Sequence, residues 1–132
     1  MALSFHYDGK SVTQDSVPLS IPKDTSYFSN FFSIAGRSSE EVYLLLFAPP
    51  PGTAFDCFYL FQRQTNRWVL VDSIFDSFRN RLWMSPSGAL YSTGSAVFER
   101  VGASWRTILT GIEAVGINGT ADNNFFVAGS AT

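Results

Sequence analysis

The chain has 132 residues and a formal net charge of −2, and 45% of its residues are hydrophobic and 16% aromatic, which is typical of one soluble domain with a sizeable apolar core. With only nine Lys and Arg residues and no run of 18 apolar residues, the sequence predicts neither a nucleic-acid partner nor a membrane span. The single cysteine, Cys57, excludes an intrachain disulfide framework, and the first ten residues lack the pattern of a secretory signal.

Many aromatic residues together with 10 Gly and 6 Pro favour short strands separated by turns, so the predicted class is all-β. In chain order, the first predicted hairpin spans Ser4 to Val12. The same pattern recurs without gaps at Leu60 to Trp68 and at Val97 to Trp105. Each copy has an aromatic residue, a turn with Gly, Thr or Asn, and a bulky apolar residue that begins the returning strand.

A second hairpin, Ile34 to Leu44, recurs as Ile117 to Val127, two units of about 41 residues further along. Between them, Leu82 to Trp105 contains one complete unit, with turns predicted at Pro86-Ser87-Gly88 and Gly94-Ser95. Because one small sheet of four short strands cannot bury both of its faces, such units must stack. A period near 40 with four strands per unit is typical of β-propeller blades.

The predicted organisation is one domain built from three blade equivalents. Residues 1–19 form the second half of a blade, 27–75 and 78–112 are two blades, and 113–132 form the first half of another. Propellers typically have 4 to 8 blades, so three cannot close a ring. The sequence therefore predicts a six-bladed homodimer in which the hairpin from Val115 to Ser130 is completed by Leu3 to Pro18 of a second copy. The alternatives are a fragment of a longer propeller and a nine-bladed trimer, which lies outside the usual range.

Two sequence patterns carry a family resemblance. The hairpin from Ile117 to Gly129, together with the Phe5 to Ser11 hairpin, resembles bacterial β-propeller repeats of the broad group that includes sialidase-type Asp-box propellers and photosystem II assembly-factor-like propellers. The resemblance covers nearly the whole chain. It implies the architecture, whereas the functions in the group include hydrolases, lectin-like binders and assembly scaffolds.

One departure from the resemblance bears on activity. An Asp box reads roughly Ser-x-Asp-x-Gly-x-Thr-Trp, and this chain keeps Gly102, Ser104 and Trp105 but has Arg100 where the Asp would stand. Sialidase activity is therefore not implied for this chain.

Residues suited to catalysis or metal binding form no recognisable pattern. His6 is the only histidine, and because Gln62 and Glu99 stand at its repeat positions, we expect it at the surface. Asp122 and Glu40 fall in predicted hairpin turns, which their side chains cap more readily than they bind calcium. A glycosidase would need two of the 11 carboxylates to face each other across a cleft. No catalytic residue, metal or cofactor is predicted.

The candidate ligand-binding residues lie where the repeat is interrupted. One interruption is the loop from Ala48 to Asp56, stiffened by three prolines, and the other is Ser73 to Arg81, which joins two blades. Trp83, in the innermost strand of its unit, either faces the central channel of the predicted propeller or packs in the core. The predicted site residues are Phe55, Phe75, Arg79, Arg81 and Trp83. The alternative is that these aromatic residues cover the ring edge or the dimer seam.

The function predicted from the sequence is a non-catalytic binding or scaffold module that presents loops to a glycan or a protein partner. A glycoside hydrolase-like propeller enzyme, with a carboxylate pair near the channel, is the alternative.

Overall fold

A computed structural model describes residues 2–18, 30–48 and 57–132. These residues form antiparallel strands and no helix, and thus no helix that could cross a membrane. The strands of the described ranges are β1 (Ala2–Tyr7), β2 (Val12–Val17), β3 (Asn30–Ser38), β4 (Glu41–Phe47), β5 (Phe58–Gln64), β6 (Arg67–Ile74), β7 (Arg79–Met84), β8 (Leu90–Gly94), β9 (Val97–Val101), β10 (Ser104–Leu109), β11 (Ile112–Ala121) and β12 (Asn124–Ala131).

The strands make four antiparallel sheets in chain order. Two sheets have four strands, ordered β3-β4-β5-β6 and β7-β8-β9-β10, and the hairpins β1-β2 and β11-β12 form two-stranded sheets. The prediction of an all-β chain with four-stranded antiparallel sheets is confirmed. The described residues do not close into a ring, because the two hairpins belong to separate sheets at opposite ends of the stack.

The hairpin turns follow from local sequence. Thr65 and Asn66 adopt positive φ angles of 49° and 61° between β5 and β6, as a two-residue turn with the right twist requires. The carboxylate of Asp8 accepts the backbone N–H groups of Lys10 and Ser11, both at 2.8 Å, which closes the β1-β2 turn. The predicted turn at Pro86 to Gly88 is present, and the N–H of Gly88 donates to the carbonyl of Ser85 at 2.9 Å.

Three consecutive leucines in β4, Leu44, Leu45 and Leu46, show how the sheets stack. Side chains alternate across a strand, yet all three are buried, so β3-β6 is covered on both faces. Leu44 and Leu46 belong to a first core cluster with Val17, Ala48, Phe61 and Trp68, between β1-β2 and β3-β6. Leu45 belongs to a second cluster, between β3-β6 and β7-β10, that contains Phe58, Leu60, Ile74, Leu82, Met84 and Leu90.

We use "front face" for the side of a sheet turned toward the next sheet in chain order, and "back face" for the side turned toward the preceding one. Leu45 thus lies on the front face of β3-β6, and Leu82 lies on the back face of β7-β10. Because residues paired across two strands share a face, the strand registers assign the remaining side chains to a face.

Candidate interaction surfaces

Two of the predicted binding residues have exposed side chains, and one lies outside the described residues. Phe75 follows β6 and is 58% exposed, with its ring edge-on to Tyr59 at 6.5 Å between centroids. Arg81, in β7, is exposed. Phe55 belongs to residues 49–56, outside the described ranges, as does most of the proline loop.

Arg79 is not at the surface but in the core between two sheets. It is 1% exposed, and its guanidinium carbon lies 3.5 Å from the ring centre of Phe98 and 4.6 Å from that of Trp105. Burial lowers the pKa of Arg79 to about 10, so the side chain remains charged at neutral pH. Its Nε donates to the hydroxyl of Ser77 at 3.0 Å. The two aromatic rings therefore make Arg79 part of the packing.

Trp83 lies on the front face of β7-β10 and is half-buried. Its ring packs against Tyr91 at 5.3 Å and Phe125 at 5.7 Å, which joins this sheet to β11-β12. Burial raises the pKa of Tyr91, whose hydroxyl donates to the carbonyl of Asp122 at 3.1 Å. Arg79 packs against the opposite face of the same sheet, so Arg79 and Trp83 do not share one site.

A polar contact occurs at the outer strands of two successive sheet pairs. We call it the latch. In it, an arginine and a tryptophan on the back face of one sheet donate hydrogen bonds to side chains on the front face of the preceding sheet. Arg100 and the indole N–H of Trp105 both donate to Asp72 Oδ2 at 2.8 Å. In the preceding pair the partners are Arg63 with Asp15, and Trp68 with the hydroxyl of Ser4 at 2.7 Å. Sequence reasoning missed the latch, although the repeat alignment places the two arginines at the same position.

The turns of the hairpins β3-β4, β7-β8 and β11-β12 contact one another at one end of the sheets. Arg37 pairs with Glu41 and donates to the carbonyl of Pro86 in the next turn at 2.9 Å. Ser87, in that turn, donates to the carboxylate of Asp122 at 2.6 and 2.7 Å. The hydroxyls of Ser85 and Ser87 lower the pKa of Asp122, and Arg37 lowers that of Glu41. These polar turns form a continuous edge.

Large apolar side chains are exposed at both ends of the stack. Phe126, on the front face of β11-β12, is 80% exposed, and Ile34, on the back face of β3-β6, is 60% exposed. Phe5 and Tyr7, on the back face of β1-β2, are each 65% exposed. These exposed apolar side chains make both ends of the stack candidate interaction surfaces.

Comparison of the chain with protein-family models, with curated proteins and with solved structures found no match.

Proposed function

We propose that the chain is a non-catalytic binding or scaffold module in which two copies complete a six-bladed β-propeller ring that recognises a glycan or a protein partner. The observation that carries the proposal is a difference in burial among equivalent positions. Residues that are buried where two sheets of one chain meet are exposed at the two ends of the stack.

The inner strands give the first instance. Phe126 pairs with Asn118 in the register in which Tyr91 pairs with Trp83, and Tyr91 is only 2% exposed. On the other side, Ile34 has the register position of Leu82, which is 7% exposed. A second copy that places Phe126 over Ile34 would bury both side chains as their equivalents are buried.

The open strand edges support the same arrangement. Within each four-stranded sheet, the second and third strands pair in one register: Tyr43 with Gln62, and Tyr91 with Glu99. Transferred to the ends, that register pairs Phe126 of one copy with His6 of the other, and Ala128 with Ser4. The two hairpins would then become one four-stranded sheet with no unpaired edge between them.

Five carboxylates of the described residues are poor candidates for the general acid of a glycosidase. A general acid in a glycosidase needs a raised carboxyl pKa, whereas hydrogen bonds lower the pKa of Asp8, Glu41 and Asp122. Asp15 and Asp72 are each paired with an arginine whose side chain is largely buried, 12% exposed for Arg63 and 11% for Arg100.

A disulfide between copies tests the ring directly. Paired antiparallel residues have Cα atoms about 4.5 to 5.5 Å apart, within the range that a disulfide spans. We expect the variant Ser4→Cys/Ala128→Cys to oxidise to a species of twice the 14.6 kDa chain mass on a non-reducing gel. Both replaced residues are small, and Cys57 is fully buried.

The matched control for the disulfide is Gln14→Cys/Ala128→Cys. Gln14 lies in β2, where it pairs with Phe5 of β1. It is therefore one strand further from the open edge of β1, about 10 Å from the proposed position of β12. Equal cross-linking of both variants, or of neither, would contradict the proposed pairing. If the gel shows no dimer and the chain is a monomer, a longer propeller whose other repeats cover these faces becomes the better account.

The ligand class is tested at the groove beside Phe75, which belongs to neither proposed contact between copies. The groove combines the exposed ring of Phe75 and the half-buried ring of Trp105 with the polar groups of Asp76 and Ser104. Sugar binding uses such a combination, because rings stack on the apolar face and polar groups bind hydroxyls. We expect a glycan array to show binding that Phe75→Ala removes. A silent array would favour a protein partner.

A further inference from the structure

The latch occurs twice within the chain, and the registers locate the position where a third would stand. Arg100 pairs with Trp105 across β9 and β10, and Arg63 pairs with Trp68 across β5 and β6. In β1 and β2 the corresponding pair is Tyr7 with Val12. The arginine and tryptophan of the latch are thus replaced by two apolar or weakly polar side chains.

The acceptor is replaced as well. Asp72 pairs with Leu60, immediately after a bulge in the β5-β6 register. In β9-β10 the same bulge is followed by the pair of Leu109 with Val97. Leu109 therefore has the register position of Asp72 on the front face, and it is 46% exposed.

We propose that the contact between the outer strands of two copies is an apolar version of the latch, in which Tyr7 and Val12 of one copy pack on Leu109 of the other. This inference rests on the proposed ring and names the surface that closes its outer half. Tyr7 is 65% exposed, Val12 64% and Leu109 46%, so all three have area to bury. Ile108, next to Leu109 in β10, and Val101, at the end of β9, are 37% and 53% exposed and add apolar area to the same two strands.

Because the arginine–tryptophan pair and its aspartate acceptor are both replaced by apolar or weakly polar residues, the contact between two copies differs from the contacts within one chain. Placing Arg63 or Arg100 against Leu109 would bury a cation without its carboxylate, and placing Tyr7 against Asp72 would bury an unpaired anion. The apolar back face of β1-β2 is therefore matched to the apolar front face at Leu109, and the charged back faces are matched to front faces that carry an aspartate. The β1-β2 hairpin of a second copy is directed to β9-β10 and cannot replace a sheet of the same chain at equal free energy.

The experiment introduces the aspartate and the arginine of the charged latch at this contact, first singly and then together. We expect Leu109→Asp to raise the dimer Kd about 100-fold or more, because two such contacts each gain a buried, unpaired carboxylate. Tyr7→Arg should weaken the dimer in the same way. The double variant Tyr7→Arg/Leu109→Asp should recover at least about tenfold of that affinity, since an arginine then meets an aspartate as Arg100 meets Asp72.

The readout is mass by light scattering over a dilution series, with circular dichroism to establish that each variant is folded. Gln64→Asp, which adds the same charge at an exposed position outside the contact, is the control and should leave Kd unchanged. A wild-type monomer would overturn the proposed ring itself. A wild-type dimer that Leu109→Asp leaves intact, or a double variant no tighter than its single parents, would overturn this contact and leave the ring standing.

Discussion

Gly94→Ala is expected to destabilise the fold by about 3 kcal/mol or more, above the usual range for a single added methyl group. Gly94 ends β8 and pairs with Arg79 at a bulge in β7. A Cβ atom there would lie 1.9 Å from the backbone carbonyl oxygen of Phe78. Because backbone atoms cannot move aside as a flexible side chain can, the two strands must separate.

The matched control for Gly94→Ala is Gly116→Ala in β11. A Cβ atom on Gly116 has only the Cβ of Ala128 nearby, at 4.0 Å, which is an ordinary contact. Its free energy of unfolding, from a urea titration followed by tryptophan fluorescence, should stay within about 0.5 kcal/mol of the wild-type value or rise slightly. If both variants lose the same stability, the close approach of β7 and β8 is not what requires Gly94.

Phe58→Ala is expected to cost about 3 to 5 kcal/mol, the usual range for removing a fully buried phenylalanine ring. Phe58 has no exposed surface and belongs to the cluster that joins β3-β6 to β7-β10. Its ring lies 5.1 Å from that of Phe47 and meets Phe78 edge-on at 5.6 Å. Its loss would leave a cavity between the two central sheets.

Phe75→Ala is the comparison for Phe58→Ala, since the same atoms are removed from a ring that is 58% exposed. We expect a loss below about 1 kcal/mol for Phe75→Ala, measured by the same urea titration at one protein concentration. A similar loss for both variants would contradict the assignment of Phe58 to the central core.

Turns and hairpins could be predicted from the sequence because their signals are local. The Thr65-Asn66 turn and the Pro86 to Gly88 turn depend on residues that favour particular backbone angles. Registers follow from the turns, so the sequence also placed Phe61 and Phe98 at equivalent positions. Arg79 was instead a predicted binding residue because it stands where the repeat is interrupted, and its burial could not be foreseen because it depends on the rings of Phe98 and Trp105 in later strands.

The binding surfaces were less accessible from sequence, since exposure is a property of the whole stack. Ile34 and Leu82 look alike in the alignment, yet one is 60% and the other 7% exposed. The difference arises because one sheet face is covered by a neighbouring sheet of the same chain and the other is not. Position in the stack, which no local pattern encodes, thus decides which equivalent residue is available to a second copy.

The most direct measurement of the proposed ring is the mass of the wild-type chain in solution, by light scattering on a size-exclusion column over a dilution series. A stable species near twice the 14.6 kDa chain mass is the predicted result, because two copies supply six blades. A monomer at every concentration would contradict the ring, since Phe126, Ile34 and Phe5 would then remain exposed in solution.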